Sequence, residues 1–109
     1  MELTVTIDKD SLSIPIDNPF RIDLFSLEEK IRNFIHSKEI ESKEIDIGGL
    51  LPRMIRGVAG CEKGCPANAL DLVQRGFKDF ELSYVDGGIL TAKIIRGEKT
   101  IYFKMFPDF

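Results

Sequence analysis

The chain has 109 residues, a formal net charge of −3, 43% hydrophobic and 30% charged residues. This is one domain's worth of polypeptide, able to bury a core without disulfide staples and too apolar for a disordered tail. The apolar runs are far shorter than a membrane span, residues 1–8 lack the regions of a secretory leader, and two cysteines do not make a disulfide scaffold. A cytoplasmic, reducing setting is therefore expected, with no membrane partner.

The chain opens on strict alternation. Leu3, Val5 and Ile7 point one way and Glu2, Thr4 and Thr6 the other, the period of a half-buried strand. Asp8-Lys9-Asp10 breaks the run, and alternation resumes at Leu12, Ile14 and Ile16. Pro15 cannot donate to a ladder, so this second strand is expected at a sheet edge. Phe20, Ile22 and Leu24 read as a further short extended piece. Ser26, with Glu29 three residues on, reads as a capping box opening a helix over 27–37, with Leu27, Ile31, Phe34 and Ile35 on its inner face. His36 lies off that stripe and reads as solvent-facing.

Residues 38–44 are highly charged and read as a solvated connection. Ile45 and Ile47 flank Asp46 as a short strand that Gly48-Gly49 ends. Leu51, Met54, Ile55 and Val58 then recur at helical spacing, with Pro52 acceptable in a first turn and Gly57 and Gly60 as breaks. Pro66 opens a second clear helix over 66–75, with Gly76 as its stop. The last thirty residues alternate again: Phe80, Leu82 and Tyr84 before Asp86-Gly87-Gly88, then Ile89 to Ile95, Arg96-Gly97-Glu98, and Thr100 to Phe106. Met105 to Phe109 is apolar enough to pack on the domain. The expected fold is α+β, a single compact domain over 1–109. Its mainly antiparallel sheet comprises an N-terminal hairpin and a C-terminal β-meander, with two to three helices.

Charge is uneven. Residues 1–49 hold 6 Lys/Arg against 11 Asp/Glu, and residues 50–109 hold 9 against 7. So small a basic excess is not the clustered face that nucleic acid requires. Lys93, Arg96, Lys99 and Lys104 beside Tyr102 and Phe103 are read as ordinary sheet faces, and no nucleic-acid partner is expected.

The residues that carry chemistry lie in Gly60-Cys61-Glu62-Lys63-Gly64-Cys65-Pro66. If Pro66 is the first helical residue, Cys65 is its N-cap, where unpaired N–H groups and the helix dipole favour a thiolate over a thiol. Lys63, with Arg53 and Arg56 upstream, adds positive charge. Cys65 is then the activated thiol, Cys61 its resolving partner and Lys63 the electrostatic support. Residues four apart fall within reach of a disulfide. A non-catalytic protein-interaction module whose cysteines only pack explains the same positions, because cysteine is among the most buried residue types. Zinc needs about four ligands, and two thiols with one remote histidine do not supply them.

The run Cys61-Glu-Lys-Gly-Cys65-Pro66 resembles the end of the bacterial ferredoxin cluster motif, C-x2-C-x2-C-x3-C-P, over about ten residues. The alignment puts Ile55 and Val58 where that family has its first two ligands. Neither binds iron, so the resemblance implies a cluster only if two chains contribute two cysteines each. No cofactor is expected on the monomer. The sequence supports an accessory redox or thiol-binding role with a protein partner, and leaves substrate and oligomeric state open.

Overall fold

Leu3, Val5 and Ile7 are completely buried in the structure, a computed structural model that describes residues 1–17, 21, 23–59, 80–85 and 89–106. They belong to β1 (Glu2–Ile7), which is followed by β2 (Asp10–Pro15), α1 (Leu24–Ser37), α2 (Ile47–Ala59), β3 (Glu81–Val85), β4 (Ile89–Arg96) and β5 (Lys99–Phe106). The strands form one antiparallel sheet in the order β2-β1-β5-β4-β3. The hairpin and the meander are thus joined where β5, the last strand, lies beside β1, the first. The expected α+β architecture is observed. The expected helix over 66–75 and the Asp86-Gly87-Gly88 turn lie outside the described residues.

Period-two alternation gives the sheet two distinct faces. Inward, register aligns Ile14, Leu3, Met105 and Leu90 in one row and Leu12, Val5, Phe103, Ala92 and Leu82 in the next. The central members of both rows are buried, and α2 lies over β4 and β5 with α1 packed on α2. Burying such side chains contributes about 1.5–3 kcal/mol each and supplies most of the driving force for folding. Phe103 is the largest fully buried side chain, and the Phe80 ring meets it edge to face at 5.9 Å and 72°. Outward, Thr4, Thr6, Thr91, Lys93, Tyr102 and Lys104 share the opposite face.

Two-residue turns close both described hairpins, at Asp8-Lys9 and Gly97-Glu98. Each places its first residue at positive φ, 55° for Asp8 and 64° for Gly97. Only glycine takes that conformation without strain from a Cβ. Pro15 sits in the edge strand β2, as its missing donor requires. Ile16 N–H donates to Met1 C=O at 2.7 Å, so donors alternate along β2 and position 15 faces away from β1.

α1 ends at Ser37 as expected, but both helices begin differently from the expectation. Asp23, not Ser26, caps α1: its carboxylate accepts from Ser26 N–H at 3.2 Å and from Ser26 Oγ at 2.8 Å. Leu24 is therefore the first helical residue rather than part of an extended piece, and Ser26 lies inside the first turn. An aspartate three residues before a serine satisfies the same orphan donor as the capping box, with the roles exchanged. The stripe Leu27, Ile31, Ile35 is buried as expected, with Phe34 partly buried beside it.

Ile45 to Ile47 is not a strand. Asp46 caps α2, accepting from Gly49 N–H at 3.0 Å through its carboxylate and from Leu50 N–H at 3.1 Å through its carbonyl. Gly48-Gly49 is thus a first turn rather than a stop. A Cβ on Gly49 would collide with the Asp46 carboxylate, so a small residue there is what lets the cap close. The helix then runs through Gly57 to Ala59, and Pro52 stands in its second turn, not its first. Its missing N–H leaves the Gly48 carbonyl without a helical donor. Gly48 is exposed, which lets water serve that carbonyl. Ile47, Leu50, Leu51, Met54 and Ile55 are buried on one face, enough tertiary packing to outweigh three glycines and a proline.

Candidate functional site

Cys61, Lys63 and Cys65 lie outside the described residues, and so does any statement of their geometry. The structure describes the scaffold that carries them. α2 ends at Ala59, two residues before Cys61, and β3 is preceded by Phe80. Upstream, Met54 and Ile55 of α2 are buried, and downstream Phe80 is 4% exposed against Phe103. The thiol segment is therefore hung between a helix end and a sheet edge strand. Arg53, read from sequence as nearby positive charge, is on the exposed side of α2.

The best-defined polar cluster lies elsewhere, between α1 and the loop to α2. Arg32 donates through Nε to Glu28 at 3.0 Å and through Nη1 to the carbonyl of Ser42 and, at 3.2 Å, to its hydroxyl. Nη2 reaches the Ile45 carbonyl at 3.1 Å and pairs with Glu28 at 2.9 Å. The planar guanidinium thus satisfies two loop carbonyls and a carboxylate at once, which a lysine point charge cannot do. Ser42, 1% exposed, also hydrogen-bonds His36 Nε2 at 2.8 Å. His36 is exposed as expected, yet tied to the loop.

The loop is less solvated than its charges suggest. Ile40 and Ser42 are buried while Glu39, Glu41, Lys43 and Glu44 are exposed. α1 ends in a Schellman motif, with Glu39 N–H on His36 C=O at 3.0 Å and Ile40 N–H on Ile35 C=O at 3.4 Å. Ile40 packs into the core with Ile35, the apolar contact that accompanies this motif. The left-handed position falls on Glu39, φ 61°, where glycine is usual.

Beside this cluster, Phe25, Glu28, Glu29, Arg32, Asn33 and His36 line an open recess of about 350 Å³ on the outer side of α1. Phe25 is 77% exposed there. Among the described residues no group of three His, Cys, Asp or Glu side chains is placed to hold a metal ion, and no helix is long and apolar enough to cross a membrane. The aromatic and basic residues of the last hairpin are divided between faces: Phe103 is in the core, Tyr102 is outside, and Lys99 Nζ donates to the Lys38 carbonyl at 2.7 Å.

Comparison with known proteins adds no relative: no family model matches the chain, and no match is found among curated proteins or among solved structures.

Proposed function

We propose that this chain is a small thiol module of a reducing, cytoplasmic compartment, with Cys65 the attacking thiol, Cys61 the resolving thiol and Lys63 their electrostatic support. One observation carries the reading: α2 ends two residues before the C-x3-C pair. The C-terminus of a helix bears about half a negative charge, a field that would disfavour a thiolate at a cysteine placed within it. The sequence signal for a helix opening at Pro66 favours one at Cys65, so the two thiols differ in reactivity as an exchange pair must.

The reaction is thiol–disulfide exchange with a disulfide-bearing protein partner. The Cys65 thiolate attacks one sulfur of that disulfide, forming a mixed disulfide and releasing the other sulfur as a thiolate. The Cys61 thiolate then attacks Cys65 Sγ, closing the Cys61–Cys65 disulfide and releasing the second partner thiolate. The module is oxidised by two electrons and the partner reduced by two.

A second reading, a protein-interaction module whose cysteines only pack, is favoured by the exposure of Phe25 on the first turn of α1. Alkylation separates the two. On single Cys→Ser variants, the thiol module requires Cys65 to react several-fold faster than Cys61 in the native state and the two to become equal on unfolding. Resistance of both until the chain unfolds would leave the packing reading. Anaerobic purification with iron and sulfide analysis tests the cluster shared by two chains, which requires half an equivalent per chain.

A further inference from the structure

The outer side of α1 carries two rows of side chains spaced four residues apart: Phe25, Glu29 and Asn33 in one, Glu28, Arg32 and His36 in the other. Both rows line the same open recess of about 350 Å³. Residues four apart on a helix are neighbours, and their side chains lean toward the N-terminus. The Glu29 carboxylate is therefore carried toward the turn that holds the Phe25 ring, and the Asn33 amide toward Glu29.

The two rows differ in what they leave unpaired. Glu28 pairs with Arg32 at 2.9 Å, the rest of that guanidinium is engaged by Ser42 and Ile45, and His36 is held by Ser42 at 2.8 Å. Among the described residues, Glu29 and Asn33 have no ion-pair or hydrogen-bond partner. Both are exposed, as is Phe25 at 77%. Charge follows the same division: Glu28 and Arg32 cancel, which leaves the Glu29 carboxylate to set the sign of the recess. Residues 1–49, which contain α1, hold 11 Asp/Glu against 6 Lys/Arg, so the segment around it is acidic as well.

We propose that this recess docks the side chain of an arginine presented by a basic segment of a partner protein. The planar guanidinium lies flat on the Phe25 ring, forks two N–H donors onto the Glu29 carboxylate and donates another to the Asn33 side-chain carbonyl. An exposed ring beside a free carboxylate fits that group better than an apolar one, which would desolvate Glu29 without pairing it. A volume of about 350 Å³ is at the small end of ligand sites and suits one anchoring side chain. The proposal does not depend on the thiol pair.

Amide chemical-shift titrations of the full chain at neutral pH with a capped glycine-arginine-glycine tripeptide test it. The same tripeptide is titrated with lysine, or with citrulline, the uncharged shape match of arginine, at its centre. Saturable shifts centred on Phe25, Glu29 and Asn33 are expected, with the arginine peptide bound about threefold tighter than the lysine one and tighter still than citrulline. Phe25→Ala and Glu29→Gln should each weaken binding about three- to fivefold. Both residues are exposed, so neither change takes a contact from the core and the melting temperature should hold. Glu41→Gln removes an exposed carboxylate outside the recess and should leave the affinity unchanged. Four results would overturn the proposal: non-saturating shifts, equal affinity for the arginine peptide and either of the others, a Glu41→Gln effect as large as that of Glu29→Gln, or shifts of the same residues that grow with protein concentration alone, the mark of a second copy in the recess.

Discussion

The Oγ of Ser42 stands 2.8 Å from Nε2 of His36, so the loop leaving α1 is tied back onto the last turn of the helix it has just left. Arg32 holds the same serine from the other side and extends to Ile45, two residues ahead of α2. α1, its loop and the start of α2 therefore form one hydrogen-bonded corner whose centre is a side chain on the solvent side of the helix.

Arg32 should consequently behave unlike a surface arginine. Arg32→Ala removes donors from two loop carbonyls and the Ser42 hydroxyl, and is expected to cost about 2 kcal/mol in urea unfolding. Arg32→Lys should recover less than half of that, because an ammonium cannot span Glu28, Ser42 and Ile45 together. A lysine variant as stable as wild type would show that charge alone matters there.

Glu39 offers the opposite opportunity. It holds the left-handed position of the Schellman motif at φ 61°. A Cβ there costs about 1–2 kcal/mol, and the greater backbone freedom of an unfolded glycine returns about half of that. Glu39→Gly is expected to stabilise by about 0.5–1 kcal/mol, read as a melting temperature a few degrees higher.

Asp23 links stability to pH. Its side-chain and backbone hydrogen bonds from Ser26 hold the carboxyl below its ordinary value of 3.8. A carboxyl depressed in the folded state contributes stability that is complete above its unfolded value and disappears as pH falls through the folded one. Asp23→Asn, which still caps, should therefore be less stable than wild type at neutral pH, and the gap should narrow as pH falls below the ordinary aspartate value of 3.8. Thermal melts at several pH values measure this; a gap that widens on acidification would reverse the sign.

The core makes a sharper demand. Phe103→Ala leaves the Phe80 ring facing a cavity and is expected to cost about 3–5 kcal/mol, whereas Tyr102→Ala, one residue away on the other face, should cost far less. Calorimetry on the two variants tests whether the faces are divided as the register places them.

The strands were legible because alternation needs only the residues themselves: Leu3, Val5 and Ile7, or Ile101, Phe103 and Met105, announce a buried face wherever they pair. Helix limits were less legible because several groups compete to cap or break a helix. Asp23 and Ser26 both suit an N-terminus, and geometry decides for the aspartate. Gly48-Gly49 and Pro52 are local signals against a helix, and burial of five α2 side chains overrides them. The Arg32 corner left no mark, since its partners are mostly carbonyls, which every residue carries. The thiol motif was visible from spacing alone, but what it does depends on distances that spacing does not encode.

Pro15 has a consequence for how far the sheet can grow. β2 is an outer strand with half-buried Leu12 and Ile14 along one side, the kind of border on which a foreign strand can nucleate. Such a visitor would find outward donors at Ser11 and Ser13 and then, one step along, an imino nitrogen with no hydrogen to offer. The ladder it started would fail at its third rung, and a single ring in the backbone keeps this margin from recruiting further strands.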